Sequence, residues 1–427
     1  MPVQRSLADK LVLVALCLVL FFGAFLRLPA HLFTPSAPLH AVEAIHPEAA
    51  FKGVGFDEGL YRRYVNSVIR VGLGNYPAIV DNYIEVQKTL TGSILPPMRF
   101  LFICAAYLWH CLFGTEALAA LHNVASLFSI LTLLLATTLA WRLKGPAWAL
   151  GVAALMSCAP TQLHMSQHAL VDGFFAFWAL LVLSLLWENL RAPGKPWMLV
   201  CYTISLSLLV LTKENSFFVF VALLALLVAN RWFGFGSVTK ELLVCTFAGP
   251  LFGGVVLVFL AGGFETLLTV YKLSVGKNYF LNYAIVTGDG PWHRYLVDLL
   301  LVSPVVLLLA IGSAFRLNRT KTAELYLALF IAASYAIMCN VKYGMNLRYA
   351  NMWDMPLRFL AFSQLVAWGS LLKKYQTALV STAVVVICAF ELRQYVTLAV
   401  HYPLYELVTE GLLRALQILK SPLPPGP

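Results

Sequence analysis

The chain has 427 residues, of which 60% are hydrophobic and only 12% charged, and its mean hydropathy is +0.79. That is more apolar surface than a soluble domain can bury, so a bilayer is the expected solvent. The net charge of +10 does not point to nucleic acid, because Lys and Arg are scattered through short loops and do not gather on one basic domain.

Residues 11–28 form the first apolar run. Arg5 and Lys10 precede it in the manner of a secretory signal, but Arg27 closes it and no small-residue cleavage site follows, so an uncleaved first span is expected. Ten further runs are long enough, or nearly so, to cross: 117–141, 147–165, 173–190, 197–212, 216–229, 242–261, 296–315, 323–341, 353–372 and 377–396. Eleven spans put the two termini on opposite sides. Lys and Arg mark every second loop, as the cytoplasmic side requires: Arg5/Lys10, Arg142/Lys144, Arg191/Lys195, Arg231/Lys240, Arg316/Arg319/Lys321 and Lys373/Lys374. Residues 96–113 are apolar as well, but counting them as a crossing would reverse every later loop. They are expected to form a re-entrant or interfacial helix on the outer side, since Arg99 and His110 would be costly at mid-bilayer.

The outer regions are then 29–97, with an amphipathic helix from 57 to about 72, the stretch 166–172, a tight turn at Lys213-Glu214-Asn215, the loop 262–295, and the turn 342–352. Residues 1–396 are read as one transmembrane domain with its catalytic loop at 29–97. Residues 397–427 are read as a short non-cytoplasmic tail without a large soluble domain, in which 403–419 could lie as an interfacial helix. The eight cysteines fall inside apolar runs without the spacing of a zinc site or a disulfide framework.

Among only twenty acidic residues, Asp57-Glu58 stands out beside Gly53, Gly55 and Gly59. Asp and Glu at a helix start also have a plain capping explanation, and Asp172 at the head of the apolar run 173–190 shares it. What favours chemistry is that Asp57, Glu58 and Asp172, with His164 and His168 just before the last, fall on one side by parity. Outer cations oppose the positive-inside trend; some would be snorkelling anchors. Lys213 and Arg348, however, each stand at a tight outer turn where a fixed cation can neutralise a lipid phosphate. A carboxylate base beside fixed cations at the membrane boundary suits sugar transfer from a polyprenyl phosphate, with one base, no enzyme nucleophile and therefore inversion.

The order of five short motifs resembles the GT-C superfamily of membrane glycosyltransferases, in the branch of the protein O-mannosyltransferases and the lipid A aminoarabinose transferase. They are Phe56-Asp57-Glu58-Gly59, Leu95-Pro96-Pro97, His168-Ala169-Leu170-Val171-Asp172-Gly173, Leu211-Thr212-Lys213-Glu214 and Asn346-Leu347-Arg348-Tyr349. The resemblance implies an all-α integral membrane GT-C fold of about 11 transmembrane helices plus re-entrant or interfacial helices in the first outer loop. It implies a dolichyl- or undecaprenyl-phosphate sugar donor and a glycan, lipid or peptide acceptor. Carried over, Asp57 is the general base, Glu58 and Asp172 complete the catalytic acids, and Lys213, Arg348 and His168 stand near the donor phosphate. In metal-using relatives a divalent ion would fall to Asp57, Glu58 and Asp172. Compact loops point to a bacterial inner membrane with the site facing the periplasm. The chief alternative is a transporter or flippase of lipid-linked sugars, which ionisable residues or broken helices at mid-membrane, and internal repeats, would favour; neither is expected, because the acids cluster at span ends and the two halves do not match. A non-catalytic assembly subunit is a further alternative, and soluble nucleotide-sugar enzymes are excluded because no glycine-rich phosphate loop follows a strand.

Overall fold

The computed structural model describes residues 7–47, 53–279, 281–342 and 344–419, and among them the chain is helical without a strand. Arg5, part of the first outer loop at 48–52, and the end of the tail at 420–427 lie outside the described residues. After α1 (Leu7–Phe25) the first outer loop folds into α2 (Phe56–Val71), α3 (Tyr76–Thr89) and α4 (Phe100–Phe113). There follow α5 (Ala117–Lys144), α6 (Pro146–Ser157), α7 (Pro160–Gln167), α8 (Val171–Arg191), α9 (Pro196–Val210), α10 (Ser216–Phe233) and α11 (Lys240–Leu260). The second half has α12 (Phe264–Asn278), α13 (Asn282–Gly288), α14 (Arg294–Val302), α15 (Pro304–Ala314), α16 (Thr322–Met338), α17 (Asp354–Gly369), α18 (Gln376–Tyr395) and α19 (Thr409–Ala415).

Among the described residues, five helices are long and apolar enough to cross a membrane and six shorter apolar helices accompany them, so the protein is a multi-pass integral membrane protein. Helix α5 ends at Gly145, whose φ of +93° lets the chain turn directly into α6. The polar ends sort by face. Arg142 pairs with Glu188 at 2.7 Å and Lys144 with Glu324 at 3.3 Å, tying the ends of α5 and α8 to the start of α16. About 24 Å of α8 separates Glu188 from Asp172, so Asp172 lies at the opposite face.

Two of the expected continuous spans are broken, which corrects the expectation of unbroken helices. Residues 147–165 divide into α6 and α7, and 296–315 into α14 and α15. Pro160 and Pro304 each begin the second piece, and a proline there has no N–H for the preceding turn. A break inside an apolar layer strands carbonyls that lipid cannot satisfy. At the first break, Arg27 donates to the carbonyls of Met156 (2.7 Å), Ser157 (3.1 Å) and Gly23 (2.8 Å), and Arg358 donates to that of Leu155 (3.0 Å). Arg358 also binds Asp354 at 2.5 Å and Glu391 at 2.7 Å, while Ser303 at the second break donates to Glu391 at 2.9 Å. Ionisable residues therefore do occur inside the spans, at the level of the breaks.

Apolar side chains form two cores that matter for the site. The larger runs through α5, α6, α8 to α11 and α14 to α19. The second belongs to the outer layer: Leu60, Tyr61, Tyr64, Val65 and Val68, at helical spacing on α2, pack with α3, α4 and the outer ends of α5 and α8. This second core fixes the first turn of α2.

Candidate functional site

Helix α2 starts after Gly55, and its first turn carries Phe56, Asp57 and Glu58. Glu58 at the third helical position accepts from the backbone N–H of Gly55 at 2.7 Å, closing the turn as a capping carboxylate. Its other oxygen accepts from the N–H of Ala169 at 2.6 Å, with His168 Nδ1 at 3.4 Å and His122 Nε2 at 3.9 Å. Burial alone would favour the neutral acid, but the His168 hydrogen bond and charge, His122 and the Gly55 N–H together pull the Glu58 carboxyl down to about 2. Glu58 thus clamps α2 to the segment leading into α8.

Asp57 points the other way. Arg348, on the short 3-10 turn Leu347–Trp353, donates through Nη2 to Asp57 Oδ2 at 2.7 Å, and its Nε lies 3.6 Å from Asp172 Oδ2. Lys213, in the turn between α9 and α10, donates to the other oxygen of Asp172 and stands 3.7 Å over the ring of Tyr349. Burial lowers the Lys213 ammonium, Asp172 and Glu214 pull it up, and Arg99 and Arg348 push it further down, for a net value of about 8. Residues more than 100 positions apart therefore meet in one buried ionic cluster. Two guanidinium nitrogens of Arg348, Nε and Nη1, nevertheless make no hydrogen bond to any described residue.

A cavity of about 540 Å³ opens beside this cluster, and Asp57, Lys213, Arg348, Arg99 and Tyr349 line it. Glu58, Asp172 and His168 do not reach it; they stand behind the residues that do. Arg99, just after the Pro-Pro element, is buried, donates to the Tyr61 hydroxyl at 2.5 Å and lies 3.4 Å from Glu214. An apolar part of the lining belongs to α10 and α12, with Phe217, Phe218, Tyr271 and Val275. The carboxylates do not fit a shared divalent ion. Asp57 and Asp172 each turn to a cation and Glu58 to backbone N–H groups, and among the described residues no group of three or more His, Cys, Asp or Glu side chains could hold a metal.

The tail supplies what the sequence did not announce. The segment after α18 does not lie as one helix over 403–419; only Thr409–Ala415 is helical, and 402–408 is irregular. Tyr405 sets its carbonyl 3.1 Å from His164 Nε2 and its ring against Gly55, where an added Cβ would overlap it. Glu406 Oε1 lies 3.2 Å from Arg348 Nη1, and its carboxylate accepts from Asn346 Nδ2 at 2.5 Å and from the Tyr283 hydroxyl. Burial pushes the Glu406 carboxyl above its ordinary value, Arg348 pulls it down and Asp57 pushes it up. The one available signal was scarcity: Glu406 is among only twenty acids.

The fold as a whole is similar to that of solved structures. ArnT from Cupriavidus metallidurans in the apo state superposes with a TM-score of 0.53 at 14% identity, over 97% of this chain and 76% of that one. The chain has a GT-C fold. The apo oligosaccharyltransferase of Archaeoglobus fulgidus matches with a TM-score of 0.56 at 14% identity, over 90% of this chain and 55% of its own. The archaeal oligosaccharyltransferase AglB from the same organism, in complex with an inhibitory peptide and a dolichol-phosphate, matches with a TM-score of 0.55 at 14% identity, over 92% and 56%. The chain spans about three quarters of ArnT and little more than half of the two oligosaccharyltransferases. No family model matches it, and no curated protein matches it in sequence.

Proposed function

We propose that the chain is a membrane glycosyltransferase that moves a sugar from a polyprenyl-phosphate donor to an acceptor on the non-cytoplasmic face, with inversion. The observation that carries the reading is the convergence of Asp57, Lys213 and Arg348 on one cavity at the outer end of the spans. The GT-C fold, shared with an oligosaccharyltransferase solved in complex with an inhibitory peptide and a dolichol-phosphate, supports a lipid-phosphate donor. The apolar lining from α10 and α12 suits the donor's prenyl chain, and the cations in the same cavity suit its phosphate. Compact loops favour a bacterial inner membrane with this face toward the periplasm, and residues 1–396 form the transferase domain.

In the proposed step Asp57 takes the proton of an acceptor hydroxyl or amine as that atom bonds to the anomeric carbon. The bond from the anomeric carbon to the phosphate oxygen breaks, and its electron pair stays on the lipid phosphate. Lys213 and Arg348 stabilise that growing charge from fixed positions, which costs no reorganisation during the reaction. Asp172 holds both cations, and Glu58 with His168 holds the turn that carries Asp57; these are positioning residues, since they stand behind the cavity wall.

The test is turnover by purified protein in nanodiscs, with lipid-phosphate sugars drawn from a deletion strain in which the unused donor accumulates. Asp57→Asn should lower the rate by about 100- to 10,000-fold while gel filtration and donor binding are retained. Normal turnover by that variant removes Asp57 as the base.

A further inference from the structure

Arg348 is shared by three carboxylates, Asp57, Asp172 and Glu406, and the only other cation bonded to any of these is Lys213 among the described residues. Two positive charges thus face three negative ones before any ligand arrives. The donor in the function proposed above, on which this inference rests, is a phosphodiester that brings another negative charge. It cannot join Arg348 unless one carboxylate yields, because like charges in a buried site repel strongly.

The three are not equally free to do so. Asp57 sits in the first turn of α2, anchored by the outer core, and Asp172 begins α8 and is held by Lys213 as well. Glu406 alone stands on irregular backbone, in the seven residues between the turn after α18 and the start of α19. Its grip on Arg348 is also looser than that of Asp57: the atoms are 3.2 Å apart against 2.7 Å, and Nη1 makes no hydrogen bond to any described residue. A carboxylate placed against an arginine with unused N–H groups occupies the position that a phosphate oxygen would take.

We propose that Glu406 is a built-in anion that fills the donor-phosphate place on Arg348, and that donor binding displaces the strap 402–408. Tyr283 and Asn346 hold the strap closed through the Glu406 carboxylate, and both line the cavity. Displacement of Glu406 would then open the side of the cavity next to Asp57 only after a donor has bound, which places a lipid phosphate before the acceptor.

The experiment measures binding of farnesyl phosphate, a short prenyl phosphate without sugar, to the purified full chain in detergent. If the open form is about a tenth of the molecules, Glu406→Gln tightens binding by about tenfold. Tyr283→Phe, which keeps the charge and removes one hydrogen bond to it, tightens binding less. In the wild type, amide exchange over 402–408 should rise on addition of farnesyl phosphate. Unchanged or weaker binding by a folded Glu406→Gln overturns the inference while leaving the donor site intact, and so does strap exchange that falls on binding. Should Glu406→Gln fail to fold, unchanged or weaker binding by Tyr283→Phe overturns it instead. Absence of wild-type binding removes both the inference and the donor reading beneath it.

Discussion

Replacing Glu58 with glutamine tests the claim that this acid is a clamp. Its carboxylate accepts from two backbone N–H groups, Gly55 at 2.7 Å and Ala169 at 2.6 Å, and is 2% exposed. Glutamine has the same shape but only one acceptor oxygen, so its amide would face one of those N–H donors. Hydrogen bonds to a charged group contribute about 1.5–3 kcal/mol each, and one is lost outright. The fall of the carboxyl from 4.5 to about 2 gives a second measure, about 3 kcal/mol in favour of the folded state. Because the folded value is the lower one, this stabilisation is complete above about pH 4.5 and disappears as pH falls toward 2. Thermal unfolding in detergent, followed by tryptophan fluorescence, should find Glu58→Gln clearly less stable at pH 7, with the gap closing in acid. Equal melting at pH 7, or a gap of unchanged size at pH 2, would refute the clamp.

Lys213→Ala should weaken donor binding by about 10- to 100-fold, the loss of one charge-assisted contact, with a smaller effect on the chemical step in single-turnover kinetics. Since the Lys213 ammonium is held at about 8, wild-type donor binding should also decline as pH rises through that value, and the alanine variant should lack this decline. Arg358→Met should destabilise the protein by about 3–5 kcal/mol, because it leaves Asp354 and Glu391 buried and unpaired; unfolding in urea with a native midpoint would contradict this.

Much of the frame was legible because apolar runs report spans and basic loops report faces. The start of α2 was legible too: Asp57 and Glu58 near glycines read as a helix beginning, and Phe56–Val71 is that helix. The breaks could have been read from Pro160 and Pro304, which stand inside runs that hydropathy alone treats as continuous. The division of labour between Asp57 and Glu58 was not legible. Adjacent helical residues point about 100° apart, so one can enter a cavity while the other ties down the turn, and which does so depends on Ala169 and Arg348, far along the chain. Nor could the tail be read. Tyr405 and Glu406 belong to no periodic element, and their partners Gly55, Tyr283 and Arg348 are joined to them only by the fold.

Among the buried ionic groups of the described residues, two differ in charge balance, and that balance separates their roles. Around the helix breaks, Arg27 and Arg358 stand with Asp354 and Glu391, two charges against two, and none of the four lines the cavity. Arg27 and Arg358 donate to the carbonyls of Leu155, Met156 and Ser157 at the first break, and Glu391 accepts from Ser303 at the second, so the group answers a need created by the backbone itself. Mid-span charges of this kind would favour a transporter if they faced a water-filled path, and here they face broken backbone. One layer further out the balance fails: Lys213 and Arg348 confront Asp57, Asp172 and Glu406, Arg348 keeps two N–H groups without a hydrogen bond to any described residue, and the cavity begins there. A closed, balanced group has no use for a ligand, whereas an unbalanced one with unspent donors beside a cavity does. The lower group therefore reads as the frame and the upper one as the working site.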